Sequence, residues 1–325
     1  MSRADPPPIL VITGPTASGK STLALDVASR LDGEIVSADA YAIYRGLDIG
    51  TDKPDAESRK AIRHHLIDIV DPRQGYSAGQ FIVDADRAIA EILSRRKTVV
   101  VAGGAQFYLE ALLHGLFSSP ARDPALRRRL ESAWHEDPDR VFERLRAVDG
   151  EAADRIGRKD RQRILRALEV YEATGAAISE KWSEHEKNPR YRALFAAPER
   201  PREQLYDRID RRVERMFAEG FVEEVERIRS TGVPDDSSAL KAIGYREIVD
   251  HLDGRCSRTD AVERTKRASR KYAKRQLSWL RNKQKGELHW VPPQEDGGAS
   301  QILILWSEHL RSSGFFFDPA QPRQR

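Results

Sequence analysis

Residues 9–22 read Ile-Leu-Val-Ile-Thr-Gly-Pro-Thr-Ala-Ser-Gly-Lys-Ser-Thr. Ile9–Thr13 is an apolar, β-branched run with the composition of a buried strand. Gly14, Pro15, Thr16, Ala17, Ser18, Gly19, Lys20 and Ser21 fit the pattern Gly, four residues, Gly, Lys, Ser/Thr. Helical periodicity follows over Ser21–Leu31. Glycines let successive N–H groups turn inward, and the next helix points its positive end at the same spot. Lys20 adds a mobile cation, and Ser21 offers a hydroxyl suited to Mg²⁺. A strand, a phosphate-binding loop and a helix in this order predict an α/β fold with a P-loop core.

The chain has 325 residues, enough for about two domains. Charged residues are 33% and hydrophobic ones 39%, which points to a soluble chain. No apolar run approaches the roughly eighteen residues of a membrane span. The first eight residues lack the apolar core of a signal peptide. A single cysteine, Cys256, excludes an intrachain disulfide and a multi-cysteine zinc site. A cytoplasmic location is expected. Net charge is only +4, yet Thr259–Lys285 carries ten Lys/Arg against two Asp/Glu. Such clustering points to a polyanionic partner.

Strand and helix patterns alternate over the first 115 or so residues. Strands are expected at Ile9–Thr13, Glu34–Ala38, Leu66–Val70 and Thr98–Ala102. The helix Ser77–Arg95 presents Phe81, Ala85, Ala88, Ile89 and Ile92 on one face. This predicts a parallel sheet covered by helices. Loop signals at Ser118-Ser119-Pro120 and Asp123-Pro124 open an Arg-rich stretch without a convincing strand, an all-helical insertion over 119–192. Core residues 1–118 and 193–310 flank it, with a strand at Tyr191–Ala196. Helices are expected at Arg202–Ser230, Ser238–Leu252 and Thr259–Lys285, then a strand at Glu287–Val291. The stretch from Pro292 is weakly patterned, and 311–325, with Phe315-Phe316-Phe317, reads as a tail.

Asp39 follows the second strand. Ligands of open α/β sheets bind beyond strand carboxyl ends, so Asp39 is placed to share the pocket of the phosphate loop. It could hold Mg²⁺ or accept a proton there; a capping or loop carboxylate is the commoner use of such a residue. Asp71 is a rival metal-site acid. His64-His65 lacks partners at ligand spacing and reads as packing or surface. Gly103-Gly104 suits either a tight turn or close approach to a ligand. Gln162, Arg163 and Arg166 suit hydrogen bonds to bases and phosphates, or a solvated face. In the basic helix, Tyr272 and Trp279 are interleaved with Arg and Lys, which fits an unpaired nucleic acid or a face packed on the core.

Several runs carry a wider resemblance: Gly-Pro-Thr-Ala-Ser-Gly-Lys-Ser (14–21), Ser-Ala-Asp-Ala (37–40), Ile-Tyr-Arg-Gly-Leu-Asp-Ile-Gly-Thr-Asp-Lys-Pro (43–54), His-His-Leu-Ile-Asp-Ile (64–69), Arg-Ala-Leu-Glu-Val-Tyr (166–171), Lys-Ala-Ile-Gly-Tyr-Arg (241–246) and Lys-Arg-Gln-Leu-Ser-Trp-Leu-Arg (274–281). Over about residues 8–291 the chain resembles the bacterial tRNA dimethylallyltransferase family. The resemblance implies transfer of a dimethylallyl group from its diphosphate to N6 of adenosine 37, beside the tRNA anticodon. It implies that the loop holds dimethylallyl diphosphate rather than ATP, with Mg²⁺ at Ser21. It assigns Asp39 as general base on the N6 amine, and Arg212 and Lys20 to the diphosphate.

By the same matching, tRNA contacts fall on Asp39, Ala40, Tyr41 and Ala42, on Gln162, Arg163, Ile164, Leu165 and Arg166, and on Lys241, Ala242, Ile243, Gly244, Tyr245 and Arg246. Ala105 belongs to this set. The target base would be flipped out of its loop, and the insertion would clamp the anticodon stem-loop. A monomer is expected. Ala105 stands where the family usually has Thr, and Ala42 where it often has Gln.

The nearest competing activity is an adenylate isopentenyltransferase, which makes a cytokinin from AMP, ADP or ATP. The insertion and the basic helix speak for RNA instead. More distant alternatives are an ATP-dependent kinase, with Asp71 on the metal, and a non-catalytic tRNA-binding module.

Overall fold

The computed structural model describes residues 6–116, 120, 123–184, 189–283 and 288–312. In chain order, the first part contains β1 (Pro8–Ile12), α1 (Lys20–Arg30), β2 (Gly33–Ser37), α2 (Ala56–Ala61), β3 (His64–His65), α3 (Ala78–Ser94), β4 (Thr98–Ala102) and α4 (Gln106–His114). Next come α5 (Pro124–Glu136), α6 (Pro138–Val148), α7 (Gly150–Ile156), α8 (Arg161–Thr174) and α9 (Ile178–Glu184). The last part holds β5 (Arg192–Pro198), α10 (Arg202–Ala218), α11 (Phe221–Ser230), α12 (Tyr245–Leu252), α13 (Arg258–Lys283), β6 (Leu288–Val291) and α14 (Gly298–Ser312). Residues 1–113 with 189–325 form one compact unit, and 114–188 a second.

The first unit is the expected α/β core. Its six strands are all parallel, in the order β3-β2-β4-β1-β5-β6. Leu10 pairs with Val100 and Ile35 with the same residue, so β4 separates β1 from β2. Strands this apolar need cover on both faces. On one face Leu10, Ile12, Leu23, Val27, Ile302 and Trp306 join strands to α1 and α14. On the other, Val11, Val36 and Val101 meet Phe81, Ile89 and Leu109. A capping box starts α3: Ser77 Oγ accepts the Gln80 N–H at 3.2 Å, and Gln80 Oε1 accepts the Ser77 N–H at 2.8 Å. Its buried face includes the five residues anticipated from periodicity.

The second unit is all helical among its described residues, as expected of the insertion. Asp123, Asp137, Asp149 and Asp160 each cap a helix N-terminus by accepting backbone N–H groups. Pro124 and Pro138 follow two of these caps, where a missing N–H costs nothing. Leu130, Phe142, Leu145, Ile164, Leu165 and Leu168 fill its core.

Four expectations are corrected. Leu66–Val70 is not a strand, because Leu66 and Asp68 take positive φ values of 63° and 59°. The third strand is His64–His65, and only Val70 bridges, to Tyr44. The helical run 202–230 breaks at Glu219-Gly220 into α10 and α11. Within 238–252 the helix begins only at Tyr245. The stretch after Pro292 contains a fifteen-residue helix, α14, whose apolar stripe is blurred in the sequence by the exposed Ile304. Phe315-Phe316-Phe317 lies outside the described residues, as does the tail beyond Ser312. No helix among the described residues is long and apolar enough to cross a membrane.

Candidate active site

Three neighbouring strands, β2, β4 and β1, end at one cavity of about 680 Å³. Thr16, Lys20 and Ser21 reach it after β1. Asp39, Ala40, Tyr41 and Ala42 reach it after β2, and Gly103, Gly104 and Ala105 after β4. Arg212 comes from α10, Lys241, Ala242 and Ile243 from the turn before α12, Arg246 from α12, and Tyr272, Arg275 and Gln276 from α13. The phosphate loop and Asp39 therefore face the same space.

The loop is gripped from outside. Arg200 Nε and Arg208 Nε donate to the Ser18 and Ala17 carbonyls, each at 2.9 Å. Arg212 Nη1 donates to Thr16 Oγ1 at 2.7 Å. Buried Ser18 Oγ has no hydrogen-bond partner among the described residues. Lys20 opens α1, and among the described residues its ammonium has only a long contact to the Pro15 carbonyl, at 3.5 Å. Burial, reinforced by the Arg212 charge and opposed by Asp39 and Asp52, pulls its pKa down to about 8. With no ion pair among the described residues, this cation suits an arriving anion.

Asp39 does two things at once. Its Oδ1 accepts the N–H groups of Tyr41 at 2.8 Å and Ala42 at 3.1 Å, a local turn that fixes the side chain. Oδ2 has no protein partner among the described residues and is left for the cavity. The carboxylate that makes the turn and the one that faces the cavity are thus the same residue. Asp71 is committed elsewhere: it holds Arg73 at 2.6 Å, and the Arg73 hydrogen bonds keep its carboxyl well below the usual range. It does not line the cavity. His65 packs on Glu34 at 2.7 Å, whereas His64 reaches the cavity wall, with burial pushing its pKa down.

The two glycines after β4 have protein neighbours. A Cβ on Gly103 would lie 2.1 Å from the Ala38 carbonyl oxygen, and one on Gly104 would lie 2.4 Å from Gln276 Nε2. Close approach explains both, and what approaches is the protein itself.

The remaining candidates divide by burial. Gly244 and Tyr245 do not line the cavity. Tyr245 is fully buried and donates to Glu224 Oε1 at 2.6 Å. Glu224 in turn accepts the N–H groups of Asp48, Ile49 and Gly50 at 2.9, 2.7 and 3.2 Å. This pair anchors the loop that brings Thr51 and Asp52 to the cavity. In the second unit, Ile164 and Leu165 have no exposed surface and serve its core, while Gln162 and Arg163 are exposed. Arg163 lies 3.4 Å from Asp160, and Arg166 is held by Glu169 at 3.0 Å.

The basic helix α13 divides similarly. Lys266 pairs with Glu214 and Arg270 with Asp210, tying the helix to α10. Lys271 and Arg275 turn to the cavity, where Arg275 stands 5.7 Å from the Tyr272 ring centre. Burial, aided by Asp39, pushes the Tyr272 phenol up. Trp279 is half-buried away from the cavity. Sequence reasoning assigned no role to Asp52, Glu224 or Gln276, although Asp52 and Gln276 lie within runs that carry the resemblance; their partners are distant in the chain.

The chain was compared with known proteins. The IPP transferase family model matches residues 42–283. The tRNA dimethylallyltransferase of Thermomicrobium roseum is 44% identical over 306 residues, covering 94% of this chain and 92% of that protein. The crystal structure of the tRNA isopentenylpyrophosphate transferase of Bacillus halodurans matches with a TM-score of 0.71 and 34% identity, over 94% of this chain and 97% of that one. A eukaryotic dimethylallyltransferase acting on tRNA matches with a TM-score of 0.82 and 27% identity, over 98% and 81%. With a phosphate loop and a free carboxylate oxygen converging on one cavity, and with likeness extending over most of its length, the chain belongs to the IPP transferase family, together with the bacterial tRNA dimethylallyltransferases.

Proposed function

We propose that this chain transfers the dimethylallyl group from dimethylallyl diphosphate to N6 of adenosine 37 in tRNA, releasing diphosphate. The observation that carries the proposal is the shared cavity of Lys20, Thr16 and Asp39. The diphosphate sits against the loop N–H groups, Lys20 and Arg212, where negative charge grows as the allylic C–O bond breaks. The N6 lone pair forms the new bond to that carbon, and the C–O electron pair leaves with the diphosphate. Asp39 Oδ2 orients the amine and takes the proton it releases.

Mg²⁺ fits this site. Among the described residues no group of three His, Cys, Asp or Glu could enclose a metal. Mg²⁺ commonly retains waters and binds through few protein ligands plus substrate phosphates. Ser21 would hold it, and bound there it would neutralise charge on the leaving diphosphate.

The tRNA names of the relatives favour tRNA over free AMP, ADP or ATP as acceptor. So do Lys241 and Lys271, which line the cavity without a carboxylate partner among the described residues. Lys241, Ala242, Ile243 and Arg246 and the exposed Gln162 and Arg163 are proposed to touch the anticodon stem-loop, with the protein acting as a monomer in the cytoplasm. Asp71, bound to Arg73 outside the cavity, gives a kinase reading no metal acid there.

Incubation with radiolabelled dimethylallyl diphosphate and either unmodified tRNA or AMP, ADP and ATP tests the proposal. Label in tRNA at adenosine 37 is expected. Label only in free adenylates, or RNA binding without transfer, overturns it. Ala105 adds a methyl group to the cavity wall, and a single-turnover comparison with Ala105→Thr measures what a hydroxyl would contribute.

A further inference from the structure

Gln276, on α13, lines the cavity beside the phosphate loop and the turn after β4. Only 2% of its surface is exposed. Its Oε1 accepts the Thr16 N–H at 2.9 Å, and its Nε2 donates to the Gly104 carbonyl at 3.0 Å. Its own carbonyl accepts Gln106 Nε2 at 2.9 Å. One side chain therefore joins the phosphate loop to the turn after β4. Both anchor points matter. Thr16 also receives the Arg212 hydrogen bond at 2.7 Å. The residue after Gly104, Ala105, donates its N–H to the Ala38 carbonyl at 3.1 Å, next to Asp39.

We propose that Gln276 is a positioning residue that sets the separation between the phosphate loop and the strand ends carrying Asp39. The inference rests on the prenyl-transfer reading. The diphosphate places the allylic carbon, and Asp39 places the amine; the reaction needs these within contact distance. A misplacement of about 1 Å can cost about 100-fold in rate. A carboxamide suits this bridge because it offers an acceptor to one backbone group and a donor to the other. Leu would leave the Thr16 N–H without its acceptor and remove one of three donors from the Gly104 carbonyl, which also accepts the Gln106 N–H at 3.1 Å and the Tyr272 hydroxyl at 3.4 Å. Glu would keep the acceptor, lose the donor, and bring a negative charge toward the diphosphate. Gly104 belongs to the same device, since a Cβ there would collide with the carboxamide.

The test is single-turnover transfer to unmodified tRNA by Gln276→Leu, Gly104→Ala and the double variant, each checked for a cooperative melt. The expected result is a loss of about 100-fold in the transfer rate for each single variant. Affinities for inorganic pyrophosphate and for tRNA stay within a few-fold of the wild type. The double variant is no slower than the worse single one, because both break the same bridge. If Gln276→Leu does not fold, Gln276→Glu takes its place. A folded Gln276 variant with a near-wild-type rate, or losses that multiply in the double variant, overturns the proposal. Wild-type transfer is the control: its absence overturns both the prenyl-transfer reading and this one, whereas its presence beside an unimpaired variant overturns this one alone.

Discussion

Arg212 Nε stands 3.4 Å from Asp52 Oδ2 while its Nη1 donates to Thr16 Oγ1 at 2.7 Å. Asp52 also holds Arg215, at 3.0 Å. An arginine suited to an anionic substrate thus has a protein carboxylate beside it. Removing that carboxylate, as in Asp52→Ala, is expected to tighten inorganic pyrophosphate binding several-fold at pH 6.5, measured by titration calorimetry. A weaker complex would mean that Asp52 helps hold the anion or its metal.

Lys20 makes a pH dependence measurable. Its pKa is lowered to about 8, so it is charged below that pH and neutral above it. Anion binding favours the charged form. Pyrophosphate affinity should therefore fall as pH rises through about 8, with proton uptake on binding near pH 8–9. Lys20→Met should lose both the affinity and this part of the pH profile. A profile identical to the wild type would remove Lys20 from the site.

Asp39→Asn preserves shape and removes the base. Transfer should fall by about 10²–10⁴-fold, the usual range for a positioned general base. Affinity for tRNA should stay within a few-fold, as read by filter binding. Near-normal turnover would exclude Asp39 from the chemistry.

Glu224 serves stability. Glu224→Ala leaves three backbone N–H groups and the Tyr245 hydroxyl without their acceptor. A loss of about 3 kcal/mol is expected, at the upper end for buried polar groups left unpaired. Urea denaturation checks this, and an unchanged midpoint would contradict the anchoring role.

In the helical unit, Arg163→Ala should weaken tRNA binding and reduce the slope of log affinity against log salt by about one. An unchanged slope would identify the exposed face of α8 as merely solvated.

The parts of this molecule written in contiguous residues were legible. The phosphate loop, the apolar strands Ile9–Thr13 and Thr98–Ala102, and the Phe81–Ile92 face all declare themselves through local pattern. The placement of Asp39 followed from the rule that α/β sheets bind ligands at strand ends. The illegible parts depend on chain-distant partners. Gln276 meets Thr16 across 260 positions, and Glu224 meets Asp48 across 176. Leu66–Val70 misled because an apolar alternation does not reveal the left-handed backbone at Leu66 and Asp68. The Lys241–Arg246 stretch misled differently: one motif mixes cavity residues with Tyr245, whose work lies beneath the surface.

The packing of α14 on α1 ties a late segment of the chain to the helix that Lys20 opens. Ile302 and Trp306 lie in the same apolar cluster as Leu23 and Val27, about one and two turns beyond Lys20. A protein shortened before Gly298 would expose that seam to water and leave the helix bearing the key ammonium without its buttress. Truncations that remove α14 would then register as defects in diphosphate binding, far along the chain from where the cut was made.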